Sequence, residues 1–280
     1  MIRGGHTLGQ VWATPTGRIG FCAVVLILAL ALLAPWISPY SPTRIDVPHR
    51  LEAPSLHHPM GTDQLGRDLF SRIVHGARVA VTVSVAVTGV ALVVGLLLGM
   101  LAALAPWSER PVLILFDIIS SFPSIILALA LVALFGAGLI NVVLLVAVVF
   151  VPHFGRVARA QTLAIKNAPF LEAERVLGAT LPRLVFLHIL PNIVGPILVL
   201  ASMDIPVVIT IEAGLSFLGI GVQPPLASWG GLLRDGYNYL QQSGWPTVFS
   251  AGALTLATLG STLFGEALRD AVDPRIRQER

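Results

Sequence analysis

The chain has 280 residues, 55% hydrophobic and only 12% charged, with a formal net charge of +3 and a mean hydropathy of +0.82. Soluble domains carry about a quarter charged residues. Half that density cannot cover a protein with solvated side chains unless lipid is the solvent, so an ordinary cytosolic enzyme is excluded, and so is disorder, which needs low hydrophobicity and high charge. The 18 basic residues are scattered, and they stand against only 15 acids, so the basic balance reflects few acids and no nucleic-acid patch. The single cysteine, Cys22, cannot form an intramolecular disulfide, and the apolar run follows it, which is the wrong order for a lipoprotein cysteine.

A membrane-crossing helix needs about 20 apolar residues, and six windows qualify. A cytoplasmic amino-terminal tail, 1–18, is expected before the first span, 19–38, which lies between Arg18 and the breakers Pro35, Pro39 and Pro42. It is long and lacks a small-residue cleavage site before a polar mature start, so it is expected to stay as an anchor. An extracytoplasmic loop, 39–77, follows. Its segment Gly61–Asp68 (GTDQLGRD) lacks the spacing of a phosphate loop and is read as a turn, with Asp68 capping the next helix. His57 and His58, near His49 and His75, read as loop residues, and no metal is assigned to them.

The second span falls in the uncharged stretch Val79–Ala105, where Gly95 and Gly99 form G-x-x-x-G and permit close approach of a neighbouring helix. The third and fourth spans share the tract Pro111–Gly155, which is broken near Gly136, Ala137, Gly138 and Asn141 by a tight helical hairpin. Phe122 and Pro123 mark a kink in it. The fifth span runs from Ile193 to about Ile211 and the sixth from about Pro246 to Gly265, with an outer loop, Ser216–Gln242, between them and a tail, 269–280, at the end. All five Trp and all three Tyr fall outside or at the edges of these windows, as residues that prefer the headgroup level should. With the amino terminus inside, cytoplasmic segments hold 12 of the 18 basic residues, so both termini are expected to be cytoplasmic.

The polar stretch 153–192 is far too long for a simple connection. It reads as a short helix from about Pro169 to Leu177, a stop at Gly178, and a second short segment ending at Pro191. A helix, a glycine turn and a helix at the membrane face make a rigid knob.

Here the sequence resembles a family. Glu172, Ala173 and Glu174, then Gly178 and Ala179, then Ile189, Leu190 and Pro191, look like the E-A-A…G…I-x-L-P cytoplasmic loop of permease subunits from binding-protein-dependent ABC importers, with Glu174, where Ala is usual, adding a charge at the docking surface. The segments His58–Asp68, Glu212–Pro225, Ser228–Gly230 and Leu268–Arg275 are similar to the C-type permeases of dipeptide, oligopeptide and nickel importers. The resemblance implies an all-α polytopic membrane protein of the bacterial inner membrane, with six transmembrane helices: one anchor and a five-helix permease core, 78–268. It implies a homologous second permease subunit, two ATP-binding cassette ATPase subunits that hold the ATP and magnesium, and an extracytoplasmic solute-binding protein. This chain would bind no cofactor and catalyse nothing. The loop would be the lever dragged by ATP-driven closure of the ATPases, with Glu172 and Arg175 available for pairing; the plainer alternative is that these residues cap an interfacial helix. Gly178→Asp is expected to leave insertion intact while uncoupling hydrolysis from uptake.

Charges inside a membrane cost about 2.5 to 3.5 kcal/mol on insertion scales, so Asp117, Asp204 and Glu212 need a reason. They either line the translocation path or meet a peptide's amino end, with Pro206 opening the helix beside Asp204 and Phe122 and Pro123 kinking another, or they bond neighbouring helices or lie near the interface. The second reading suits Asp117, near Pro111; Asp204 stays open; Glu212 is placed at the external end of its span, where it is cheap. Two rival functions remain on the residues alone, an ion-coupled secondary carrier and a non-transporting scaffold. No Walker motif, no metal-ligand pair at helical spacing and no G-x-S-x-G is present.

Overall fold

The computed structural model describes residues 4–272. Arg3, Arg275, Arg277 and Arg280, which entered the orientation argument, lie outside them, as does the end of the Leu268–Arg275 segment. The fold is all-α: among the described residues the only strand-like feature is a bridge between Thr62 and Asp68. The helices are α1 (Gly4–Ala13), α2 (Pro15–Ile37), α3 (Leu69–Leu104), α4 (Pro106–Ser120), α5 (Ser124–Phe135), α6 (Leu139–Ile165), α7 (Pro169–Val176), α8 (Leu181–Arg183), α9 (Leu190–Phe217), α10 (Trp229–Asn238) and α11 (Trp245–Val272).

Among the described residues five runs are long and apolar enough to cross a membrane: α2, α3, α6, the continuous run from α8 through α9, and α11. The third expected span is a broken pair, α4 and α5, bent by 90°, and the count reaches six only if that pair crosses once. Pro123 explains the break, since it lacks an N–H and disfavours helical geometry at Phe122. The hairpin expected after it is present, with Gly136 and Gly138 at φ +100° and +138°.

Several spans are longer than their apolar windows. α3 starts ten residues before Val79 because Asp68 caps it, accepting from Ser71 N at 2.8 Å, and because Arg72 and Ser71 are buried among partners. The segment 1–18, read as a tail, contains α1, which packs on α2 and α11 with Val11 buried beside Ala267 and Ala271. The core is centred on α3 against α6, the most extensive helix pairing. Gly95 and Gly99 make it possible: a Cβ on Gly95 would lie 2.7 Å from the Val151 carbonyl oxygen, and one on Gly99 would run into the Gly155 carbonyl. α9 lies among α3, α6 and α11, and α2 packs on α11 and α3.

The outer loop Ser216–Gln242 is not merely a loop. It contains α10, capped by Ser228 Oγ on Gly231 N. Trp229 is not a headgroup anchor: it is buried, and its Nε1 donates to the Ile73 carbonyl on α3 at 2.9 Å. Trp12, Trp36, Trp107 and Trp245 are exposed, as interfacial residues should be.

Candidate functional site

The polar stretch between α6 and α9 folds into the expected knob, although α6 continues to Ile165 before it begins. Pro169 opens α7 at a position where its missing N–H costs nothing. Glu172 lies in the first turn and Arg175 in the last, each at the end of the helix dipole that favours its sign. Eight residues cannot hold a helix alone, so the surroundings matter. Leu171 is fully buried and shares the main core with Leu184 and Ile189. Arg175 Nη2 donates to the Lys166 carbonyl at 3.0 Å, and Lys166 Nζ to the Ala103 carbonyl at 3.3 Å.

The helix ends as its glycine demands. Gly178 adopts φ +81°, its N–H donates to the Arg175 carbonyl at 3.0 Å, and that of Ala179 donates to the Glu174 carbonyl at 3.0 Å. This pair of bonds is the Schellman motif. The tip it creates is apolar and open: Val176 is 88% and Leu177 81% exposed. Glu172, Ala173 and Gly178 are also exposed, while Ala179 and Leu190 pack partly against the core and Pro191 is exposed.

Two local expectations change. The second short segment does not end at Pro191: α8 passes through a π-helical turn, Leu184–Ile189, directly into α9. Pro191 lies inside this continuous run, and the π-helical turn just before it is where the backbone ladder adjusts to the missing N–H. The knob is therefore continuous with a crossing helix. Glu174 does not simply add charge to the open surface, because Oε1 lies 3.7 Å from His188 Nε2 on the π-helical turn. Leu171, Lys166 and His188 escaped notice in the sequence; the one available signal was Leu171, an isolated apolar residue at the base of a polar helix.

The residues proposed for a path are not gathered at one point. Phe122 and Pro123 sit at the α4–α5 break, with Phe122 exposed. Asp204 is buried near the middle of α9, its Oδ2 3.0 Å from His153 Nδ1 on α6. Pro206 is buried on the same helix, and its carbonyl accepts from Thr210 Oγ1 at 2.8 Å. Glu212 is not at a cheap external end: α9 continues to Phe217, and Glu212 is 2% exposed, accepting from Ser216 Oγ at 2.7 Å. Asp117 is exposed and paired with Arg156 Nη2 at 2.9 Å, which is the helix-bonding role.

The Gly61–Asp68 segment folds into a buried polar knot. Asp63 is 1% exposed and accepts from Leu65 N at 2.8 Å, Arg67 N at 3.0 Å and Arg67 Nε at 2.7 Å. It also pairs with Arg72 Nη1 on α3. Gly61 and Gly66 take φ +80° and +72°. His58 Nδ1 lies 2.8 Å from Asp68 Oδ1, so His58 is occupied in the knot. Among the described residues no three His, Cys, Asp or Glu side chains come together as a metal site.

The profile of the family described as binding-protein-dependent transport system inner membrane component matches residues 95–278. The chain belongs to that family. A second profile, the N-terminal TM domain of oligopeptide transport permease C, matches residues 13–54. The permease is similar to the di/tripeptide transport system permease protein DppC of Pseudomonas aeruginosa, with 37% identity over 96% of this chain and 91% of that one. It is similar to the dipeptide transport system permease protein DppC of Alkalihalophilus pseudofirmus, with 38% identity over 92% and 86%. The glutathione transport system permease protein GsiD of Pectobacterium atrosepticum is 38% identical over 91% and 85%. Its fold is shared with a solved inward-facing MetNI methionine ABC transporter chain, at TM-score 0.58 and 19% identity over 73% of this chain and 98% of that one. Members are non-catalytic inner-membrane permease subunits that work with a separate ATPase.

Proposed function

We propose that this permease forms the translocation path of an ATP-driven importer of di- or oligopeptides, pairing with a homologous second permease subunit. Two ATPase subunits carry the ATP and magnesium, one of them taking this chain's α7 tip in a docking cleft, and an extracytoplasmic binding protein delivers the solute to the opposite face. Both termini are cytoplasmic on this reading, which follows from the distribution of Arg and Lys. The relatives' names, which speak of dipeptides, tripeptides and glutathione, support a peptide over nickel. The anchor, 19–38, and the core, 78–268, form separate sequence units, a division in keeping with separate matches at 13–54 and 95–278.

The observation that carries the coupling role is the apolar tip at Val176 and Leu177, exposed on a short helix that is tied to both neighbouring spans. An open apolar patch on a braced element is a docking surface, and the continuous run into α9 gives it leverage on a span. The test is a cross-link. In a Cys22→Ser background, Val176→Cys should link to a cysteine placed in the docking cleft of the ATPase subunit. Absence of that link in a complex competent for transport would remove the docking assignment.

A further inference from the structure

α6 and α9 meet at a carboxylate and an imidazole. Asp204 is 5% exposed and lies 14 residues into α9, about 21 Å along the helix axis and close to its midpoint. Its hydrogen-bond partner is His153 Nδ1, at 3.0 Å, and the His153 side chain is half exposed. Three residues further along α6, Arg156 is also half exposed and reaches Asp117 Oδ1 at 2.9 Å and Ser120 Oγ at 3.2 Å on α4. His153 and Arg156, about 60° apart around the axis, therefore form a short open polar line along α6, whereas the exposed Leu144 and Val148 lie on a different face, Val148 about 140° around the axis from His153.

Lipid is a poor neighbour for that line. Ionisable side chains at membrane depth face a bundle interior or a water-filled cavity, because hydrocarbon solvates them badly. The imidazole is the member of the pair that reaches the open side. A primary ammonium offers such a carboxylate three charge-assisted donors, where His153 places a single ring nitrogen on it.

We propose that Asp204 is a binding site for the primary ammonium group of the transported solute, and that His153 is the resting partner which that ammonium displaces. This inference rests on the peptide-importer reading and adds a contact within the path. An ammonium moving along the open line of α6 meets His153 first, and rotation of the imidazole hands Asp204 to it without leaving the carboxylate unpaired in a low-dielectric region.

The test uses the assembled transporter in a Cys22→Ser background, since Cys22 is the chain's single cysteine. His153→Cys is modified with 2-aminoethyl and with 2-sulfonatoethyl methanethiosulfonate, and the ratio of rates is normalised to that of a free thiol. Any shift in thiol ionisation affects both reagents equally and cancels. The cationic reagent should be favoured about tenfold or more, given an adjacent unit charge at intermediate dielectric, and Asp204→Asn should return the ratio to near one. Should His153→Cys fail to assemble, Val207→Cys, exposed one turn from Asp204 on α9, reads the same preference with His153 intact.

A normalised ratio near one overturns the proposal. So does protection of both positions from either reagent, which would mean that a protein surface covers them. Uptake adds a second readout: Asp204→Asn should slow di-alanine and lysyl-alanine together if the amino terminus is bound, and lysyl-alanine alone if a lysine side chain is. Unchanged uptake of both overturns the proposal. Failure of the unsubstituted transporter to import any peptide would instead strike the importer reading, leaving the labelling ratio as a separate result.

Discussion

Gly178 is the position where coupling can be loaded in measured steps. It holds φ +81°, and no atom lies within 4 Å of a Cβ built on it, so a substituted side chain meets no steric barrier and the penalty is confined to the backbone. For an ordinary residue the left-handed conformation costs roughly 1–2 kcal/mol, Asn escapes part of that, and a β-branched residue pays more. A cost of that size changes the ratio of capped to uncapped tip by roughly 5- to 30-fold. The eight residues of α7 have little intrinsic helix stability to set against it. With the transporter reconstituted with its ATPases, peptide imported per ATP hydrolysed should fall in the order Gly, Asn, Ala, Val, with insertion and assembly unchanged. Gly178→Asp matches Asn in backbone tolerance but adds a charge beside Glu174 at the docking tip, so it should couple worse than Asn. Full coupling in Gly178→Val would refute the lever. Equal loss in Asn and Val would show that the side chain, rather than the cap, matters there.

Asp63→Ala strands Arg72, whose side chain is 6% exposed, and should destabilise the purified protein by about 3–5 kcal/mol; denaturant unfolding that registers under about 1 kcal/mol contradicts the knot. The His49 imidazole is raised above its ordinary value of 6.5, chiefly by its hydrogen bond to Asp46. Because the folded value is the higher one, the pair's contribution is fully present below the unfolded value and is lost as pH rises through the folded one. NMR titration should place His49 above 6.5 and return it there in Asp46→Asn. Gly99→Ala pushes a methyl into the Gly155 carbonyl and should cost about 1–3 kcal/mol. Gly89→Ala, with nothing within 4 Å, should be neutral or stabilising by up to about 1 kcal/mol.

The legible parts of this molecule are those where local chemistry decides. Apolar run length marked the spans, Asp68 marked a cap, Gly178 marked a helix stop, and the Gly95/Gly99 spacing marked a close helix contact. Charge and helix-forming residues mark the knob. What stayed hidden depends on pairs distant in sequence. Arg72 looked like a loop residue because its partner, Asp63, becomes adjacent only once the GTDQLGRD segment folds back on α3. Glu212 looked cheap because hydropathy ended its span early, whereas Ser216 one turn later supports a longer buried helix. His153 stands 51 residues from Asp204, beyond the reach of any helical spacing. Trp229 obeyed the aromatic-belt pattern in sequence and broke it in space, because α10 folds over α3 and gives its indole a carbonyl. Pro191 looked like a terminator but lies inside the continuous run that joins the knob to α9.

The central claim is that this chain transports only as part of an ATP-driven assembly. The most direct measurement is peptide uptake into proteoliposomes containing the permease, its sister subunit, the ATPases and the binding protein, with and without ATP and with and without a protonophore. Uptake should require ATP and every partner and should persist when the proton gradient is collapsed. Uptake by this chain alone, driven by the gradient and indifferent to ATP, would contradict the account.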